Sequence, residues 1–323
     1  MTVLVAKSQT PSVTKRPIVP SGQWDLLPSG KRVAGVNILM SQTATTGGEV
    51  ANSWADCWTS WPWDTWIKPQ IDAAAAYGFN TVRLFGTVTA RYAASGYTPQ
   101  LDDQTYLNRW RQVLDYIRQK GMYAYPTLGG CDSGACRSDM YAYTPSNAWF
   151  VAEFTTLLGL LATHADVIFG IDILNESDAI GNWAAANGVT VYAALKAVAS
   201  QFSYTLSCIQ VRFPPSGSFD HLDAHFYIDG LAADYFDADL VGIGCPILIG
   251  EWGTDYGAGS TARQARANMF LAIVNYTASG RRVAGAQVWD LIGGWGDGDW
   301  GVLNADWSTR SDVLAILQSF PTS

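Results

Sequence analysis

Two glutamates stand directly after short, strongly apolar stretches of the chain. Glu176 follows the run 167–175 and Glu251 follows the run 247–250. The runs are made mostly of aliphatic residues, which is typical of strands buried on both faces of a parallel sheet. A carboxylate at the carboxyl end of such a strand lies where α/β barrels carry their active sites. Two carboxylates in such positions could cleave a glycosidic bond, one as nucleophile and the other as acid and base.

The neighbours of the two glutamates make the pair more informative than either residue alone. A single glutamate after an apolar strand is more often a loop or helix-cap residue than a catalytic one. Here Asn175 precedes the first glutamate and Gly250 precedes the second. The interval between them has room for three strand–helix units of about 25–30 residues each. We therefore take Glu176 and Glu251 together as the candidate catalytic pair.

With these motifs the chain resembles the (β/α)8 retaining glycosidases, and most of all glycoside hydrolase family 5. In that family the acid/base glutamate follows an asparagine at the end of strand 4, and the nucleophile ends strand 7. The resemblance therefore implies that Glu176 is the acid/base and Glu251 the nucleophile. It also implies that Asn175 binds the 2-hydroxyl of the reacting sugar.

An arginine, Arg83, lies within the run 80–85, which is predicted to be the second strand. A buried charge is costly unless it is paired. One interpretation is a salt bridge that stabilises the barrel interior. The resemblance implies a more specific role, in which Arg83 hydrogen-bonds the carboxylate of Glu251 and keeps it ionised together with Tyr227.

Three further positions match residues that line the cleft in family 5. His225 and Tyr227 are two residues apart, so they point the same way on a strand. A lone histidine is more often structural, but the family has a His-x-Tyr pair beside its catalytic carboxylates. Trp289, at the end of the predicted strand 8, corresponds to the family's tryptophan under the sugar. The family's usual histidine after strand 3 is replaced by Gly-Gly-Cys at 129–131, from which we expect a reshaped subsite wall.

Tryptophans are numerous, with 14 in the chain, and aromatic faces suit sugar rings. Trp54, Trp58 and Trp61 follow the spacing i, i+4, i+7 in the predicted loop 41–66. They could bury one face of a short helix or form a wall of sugar-binding subsites, and both can hold with different tryptophans in each role. We expect substrate contacts from Trp54, Trp58, Trp252 and Trp295. The Asp- and Gly-rich loop 293–304 around Trp295 has no spacing typical of a calcium site.

The length and composition fit one large α/β barrel or two average domains. The chain has 323 residues, of which 48% are hydrophobic and 15% charged, so it can bury a sizeable core. Apolar strands alternate with helical segments, without a linker or another repeat. This pattern and the resemblance predict a single (β/α)8 TIM barrel over 22–323, after an extended arm over 1–21. By resemblance, a small hairpin over 23–32 closes the barrel floor.

The charge and residue counts narrow the range of partners. A formal net charge of −8 argues against nucleic acid or an anionic membrane as a partner. It neither favours nor disfavours the binding of uncharged sugars. No apolar run is long enough for a membrane span. Three histidines are too few for the ligands of a metal-dependent hydrolase. We expect no metal and no cofactor, since water is the second substrate, and a monomer that binds a polysaccharide or oligosaccharide.

The five cysteines are an odd number, so at least one is unpaired within the chain. Cys131 and Cys136 could close a small disulfide loop, whereas Cys208 and Cys245 lie in apolar runs and are expected as buried thiols. The first residues lack the features of a signal peptide. We expect an extracellular protein whose signal peptide is absent from this chain. A cytoplasmic, lysis-released or particle-associated protein is the alternative.

These observations predict a retaining, endo-acting glycoside hydrolase that cleaves a neutral β-linked polysaccharide, either β-1,4-glucan or β-mannan. Glu251 would attack the anomeric carbon, and Glu176 would protonate the leaving oxygen and then act as base. One alternative is an exo-acting or glycoconjugate-specific β-glycosidase of the same superfamily. Two others are a non-catalytic glycan-binding barrel, against which both carboxylates argue, and a metal-dependent barrel hydrolase, against which the few histidines argue.

Overall fold

The computed structural model describes residues 26–40, 61–84, 104–129, 147–177, 183–209, 219–226, 245–253, 283–293 and 301–311. The predicted arm over 1–21 lies outside these residues. So do several side chains singled out above, namely Trp54, Trp58, Tyr227, Trp295, Cys131 and Cys136. Of the remaining cysteines, Cys208 is buried, as predicted, and Cys245 is only half-buried.

Nine strands among the described residues form one sheet, and every pairing between neighbours is parallel. They are β1 (Val33–Ile38), β2 (Thr81–Leu84), β3 (Tyr123–Gly129), β4 (Ile171–Leu174), β5 (Tyr204–Thr205), β6 (Ser207–Ile209), β7 (Leu222–Phe226), β8 (Ile247–Trp252) and β9 (Val283–Val288). Their order across the sheet is β5-β4-β3-β2-β1-β9-β8-β7-β6.

The two outermost strands of that order are neighbours in the sequence. Only Leu206 separates β5, which pairs with β4, from β6, which pairs with β7. The Ser207 hydroxyl also donates to the Asp172 carboxylate of β4 over 2.8 Å. The segment 204–209 therefore links both edges, and the sheet is a nearly closed barrel. The predicted (β/α)8 barrel is confirmed.

The helices of the described residues lie between strands, as the prediction requires. They are α1 (Lys68–Ala76), which follows a π-helical turn (Trp63–Ile67), α2 (Gln104–Gln119), α3 (Asn147–Ala162) and α4 (Trp183–Val198). In α2 the buried side chains recur every three or four residues, because one face of an amphipathic helix packs on the barrel. Gly78 and Gly121, just after α1 and α2, adopt φ values of +87° and +70°, which favour glycine at a helix end.

The barrel floor differs in detail from the predicted hairpin over 23–32. Its described part, residues 26–32, contains a turn in which the Gly30 amide donates to the Leu27 carbonyl over 2.9 Å, and it contains no strand. The hairpin is therefore not confirmed. None of the described helices combines the length and the apolar character that crossing a bilayer demands.

Charged and polar side chains are buried inside the barrel alongside its apolar core. Arg83 on β2, Asp172 on β4, and Asp223 and His225 on β7 are all fully buried. Such groups are tolerated only where they pair with one another or accept hydrogen bonds. Their partners define the candidate site.

Candidate active site

The two candidate glutamates lie at the same rim of the barrel. Glu251 is in β8, and Glu176 is the second residue after β4. Because the strands are parallel, their carboxyl ends meet at one rim. One oxygen of Glu176, one ring nitrogen of His225 and one oxygen of Glu251 all lie within 4.8 Å of one another. The structure thus brings together the two carboxylates that the sequence singled out.

Arg83 contacts Glu251 directly. Its Nη1 forms a short ion pair with Glu251 Oε1 and lies 3.3 Å from Asn37 Oδ1. Its Nη2 donates to Asp172 Oδ2 over 2.6 Å and to Asn175 Oδ1 over 2.8 Å. The sequence offered two interpretations of Arg83, and both contacts are present: it pairs with Glu251 and with a carboxylate of the barrel interior.

The Arg83 side chain stays protonated although it is fully buried. Burial by itself disfavours the guanidinium, but the carboxylates of Glu251, Asp172 and Asp223 outweigh burial and hold the pKa of Arg83 above its usual value. A permanent cation beside Glu251 favours the ionised form of that carboxyl. An ionised carboxylate is what a nucleophile requires.

Glu176 has a different environment from Glu251. Its side chain is 14% exposed, compared with 5% for Glu251, so it is the more accessible of the two to solvent protons. His225 Nδ1 lies 3.1 Å from Glu176 Oε1 and 3.5 Å from Glu251 Oε2. The imidazole therefore lies between the two carboxylates.

The backbone of Glu176 is also unusual. Its φ is +48°, in the left-handed region that residues with a side chain seldom adopt. The Glu176 amide donates to the Ser207 hydroxyl over 2.9 Å. The side chain of Glu176 therefore leaves the strand end in a direction that a regular extended backbone would not give.

The described tryptophans have different roles. Trp289 is half-buried at the end of β9, and the peptide bond that follows it is cis. Trp252 is 1% exposed and packs in the apolar core. Residues adjacent on a strand point to opposite faces, so the Trp252 side chain points away from that of Glu251. The expected contact of Trp252 with sugar stays a prediction. Trp61 stacks on Trp63 at 5.9 Å and donates to Gln112 on α2, so it packs against that helix.

A second buried network lies next to the glutamates, and the sequence did not predict it. The Tyr125 hydroxyl donates to Asp223 Oδ2 over 2.9 Å and lies 3.0 Å from His221 Nε2. His221 Nδ1 is 2.8 Å from the Ser203 hydroxyl. The only signal in the sequence is the presence of polar residues within otherwise apolar strands. Their pairing depends on strands that are far apart in the chain.

Burial controls the ionisation of this network. It raises the pKa of Asp223 well above the usual range and raises the pKa of Tyr125 as well. It lowers the pKa of His221 to about 4. At neutral pH the His221 imidazole and the Tyr125 hydroxyl are therefore both uncharged, which lets them share hydrogen bonds inside the barrel.

Gly250 allows this network to reach the strand of Glu251. Its amide donates to Asp223 Oδ1 over 2.7 Å. A Cβ at this position would lie 2.1 Å from the same oxygen, closer than any side chain tolerates. The glycine before the candidate nucleophile is thus required by the close approach of a buried carboxyl.

One group of side chains in the described part of the chain could hold a metal ion, namely Glu176, His225 and Glu251. Two carboxylates and an imidazole are suitable donors for a divalent transition metal. Arg83 already pairs with Glu251, so a cation there would compete with a fixed guanidinium. The expectation of no metal stays a prediction.

The sequence matches no protein-family model and no curated protein. Comparison with solved structures finds similar barrels. An exo-β-1,4-mannosidase from an Opitutaceae bacterium has a TM-score of 0.68 at 19% identity, over 94% of this chain and 62% of that one. A family 5 lichenase from a Caldicellulosiruptor species has a TM-score of 0.64 at 16% identity, over 98% and 99%. A GH5_18 enzyme from Streptomyces cattleya has a TM-score of 0.66 at 13% identity, over 89% and 80%.

These comparisons agree with the fold that the strand pairing shows. At such low identities they establish a (β/α)8 barrel and leave the reaction to be argued from the site itself. The chain spans less than two thirds of the mannosidase that it resembles.

Proposed function

We propose that the protein is a retaining glycoside hydrolase in which Glu251 is the nucleophile and Glu176 the acid/base. The observation that carries this proposal is the approach of one oxygen of each carboxyl to within 4.8 Å, with Arg83 paired to Glu251 and His225 beside both. Retaining enzymes hold their carboxyl groups about 5–5.5 Å apart, whereas inverting enzymes need about 6.5–9.5 Å to admit a water molecule. The observed approach supports the retaining mechanism.

The two environments support the two roles. Glu251 is buried against a cation, which favours a permanently ionised nucleophile that can attack the anomeric carbon. Glu176 lies beside the His225 imidazole, and its side chain is 14% exposed, compared with 5% for Glu251. It can therefore give a proton to the leaving oxygen and recover one from water in the second step.

For the substrate we propose a neutral β-linked polysaccharide, β-1,4-glucan or β-mannan, cleaved by endo action. The solved structures with similar barrels include a lichenase and an exo-β-1,4-mannosidase, which supports a β-glycan and leaves exo action as the second candidate. The net charge of −8 supports an uncharged substrate rather than an anionic one.

Reducing-end release from a panel of soluble and insoluble polysaccharides tests the substrate. Endo action should give a ladder of oligosaccharides and a fast fall in viscosity, and exo action a single small product. Proton NMR of the first product should show retained anomeric configuration. Release of the inverted anomer would contradict the mechanism, and binding without any release would favour a glycan-binding barrel.

Variants of the two glutamates test the roles. Glu251→Ala should nearly abolish turnover, and azide should then give a product of opposite configuration. Glu176→Ala should lose activity on polysaccharides, whose leaving groups need a proton, by about 10²–10⁴-fold. With aryl glycosides of acidic phenols it should accumulate a glycosyl-enzyme that azide resolves with retained configuration. The reverse pattern would exchange the two roles, and no effect from either variant would contradict the proposal.

A further inference from the structure

The left-handed backbone of Glu176 needs an explanation. A residue with a Cβ at φ +48° is disfavoured, and it persists where surrounding contacts fix it. One contact that does so is the hydrogen bond from the Glu176 amide to Ser207 Oγ, at 2.9 Å. Ser207 also holds the following residue, since the Ser177 hydroxyl donates to the Ser207 carbonyl over 3.1 Å.

Ser207 is in turn held by a buried carboxylate. Its hydroxyl donates to Asp172 Oδ2 over 2.8 Å, and its backbone amide donates to Asp172 Oδ1 over 3.0 Å. Both residues are fully buried. A hydroxyl has one proton, so donation to Asp172 leaves its lone pairs directed to the amide of Glu176. The orientation of the Ser207 hydroxyl is therefore fixed by the charge of Asp172.

Asp172 connects this anchor to the other glutamate. Its Oδ2 also accepts from Arg83 Nη2 over 2.6 Å, and Arg83 pairs through Nη1 with Glu251. One buried chain of contacts thus runs from the nucleophile through a guanidinium, a carboxylate and a serine hydroxyl to the backbone of the acid/base. The chain fixes both reacting groups relative to one guanidinium.

We propose that Ser207, oriented by Asp172, is a positioning residue that sets the carboxyl of Glu176 for proton transfer to the leaving oxygen. This proposal rests on the acid/base role of Glu176. Without the Ser207 hydroxyl, the Glu176 amide loses its acceptor and the backbone relaxes toward a right-handed or extended conformation. The carboxyl then moves away from the glycosidic oxygen, while the contact of Arg83 with Glu251 remains.

The test compares leaving groups in Ser207→Ala. Substrates that need protonation, such as cello- or manno-oligosaccharides, should lose about 10–100-fold in kcat/KM, since a displacement of about 1 Å costs this much. A dinitrophenyl glycoside, whose leaving group needs no proton, should change less than about threefold in the glycosylation step. A purely structural role would lower both by the same factor, and that result would overturn the proposal.

A matched control lies two residues earlier on the same segment. Thr205 is fully buried and its hydroxyl donates to the Leu206 carbonyl at 3.4 Å, outside the chain of contacts to Glu176. Thr205→Val should affect both substrates equally. If Ser207→Ala does not fold, Ser207→Cys keeps the shape of the side chain with a larger atom and offers only a weak acceptor, and it should show the same selective loss.

Glu176→Ala, measured beside these variants, separates the proposal from the function on which it rests. If Glu176→Ala shows no dependence on the leaving group, the acid/base assignment fails. If Glu176→Ala shows that dependence and both Ser207 variants do not, only the positioning role is overturned.

Discussion

Replacing Arg83 should damage catalysis more than it damages the fold. Arg83→Met removes the guanidinium that pairs with Glu251 and Asp172, both of them buried. Removing one partner of a buried ion pair costs about 3–5 kcal/mol. We expect a fall in the melting temperature of roughly 5–15 °C for a chain of this size.

The catalytic loss follows from the charge beside the nucleophile. Two unit charges about 4 Å apart interact by about 4 kcal/mol at the effective dielectric constant of about 20 found near protein sites. This corresponds to about 10³-fold in the equilibrium between ionised and protonated carboxyl. We expect kcat/KM of Arg83→Met to fall by up to about that factor at acidic pH, where protonation of Glu251 limits the reaction, and by less at higher pH. The acidic limb of the pH–rate profile should move to higher pH, because a more alkaline solution is needed to ionise Glu251.

Arg83→Lys separates charge from geometry. A lysine keeps the positive charge but cannot direct two N–H edges to Glu251 and Asp172 at once. We expect stability closer to that of the wild type, a pH–rate profile that moves little, and a loss of about 10–100-fold in kcat/KM. This variant keeps the test informative even if Arg83→Met folds poorly.

The assay is hydrolysis of an aryl glycoside across a pH series, with thermal unfolding in parallel. Arg118→Met is the matched control, since Arg118 pairs with Asp115 and Asp166 on exposed helix and loop surfaces. Exposed pairs contribute about 0–1 kcal/mol, so this control should keep its kinetics. An Arg83→Met enzyme with wild-type turnover and an unmoved acidic limb would refute the reasoning and leave Arg83 as a salt bridge of the barrel alone.

Four further substitutions test the buried network and the cleft. Because the pKa of His221 is about 4 when folded and 6.5 otherwise, the unfolded chain binds more protons between these values and stability rises with pH there. His221→Gln should remove up to about 1.4 kcal/mol per pH unit of this slope in urea unfolding; an unchanged slope would contradict burial of a neutral imidazole. The pKa of Asp223 is raised in the folded protein, so the folded chain binds more protons above about pH 4 and stability falls as the pH rises there. Asp223→Asn should remove this fall. Gly250→Ala should cost about 1–3 kcal/mol of stability, since its Cβ would meet the Asp223 carboxyl. It should also lower kcat, because the clash displaces Glu251. Unaltered unfolding and kcat would count against that clash. Trp289→Ala should lower kcat/KM on short glycosides about 10–100-fold if the ring covers the reacting sugar; unchanged kinetics would give Trp289 a structural role.

The sequence by itself determined the barrel and its two glutamates. Buried parallel strands can be recognised in a sequence as short aliphatic runs. In such a barrel the residue at the carboxyl end of each run lies at the rim that carries the active site. Arg83 could also be predicted to have a charged partner, because a buried guanidinium without one is too costly. The same alternation of side chains along a strand could have shown that Trp252 points away from Glu251.

Only the tertiary structure decided how the remaining polar residues are paired. Asp172 appears in the sequence as one interruption of an apolar run, and its partners Arg83 and Ser207 come from other strands. Asp223, Tyr125 and His221 likewise meet only because β3 and β7 enclose the same interior. Local patterns report which face a residue occupies, whereas hydrogen-bond partners depend on register and closure between distant strands. The left-handed conformation of Glu176 could not be predicted from local patterns either. The hydroxyl that accepts from its amide belongs to Ser207 on β6, at the closing edge of the barrel.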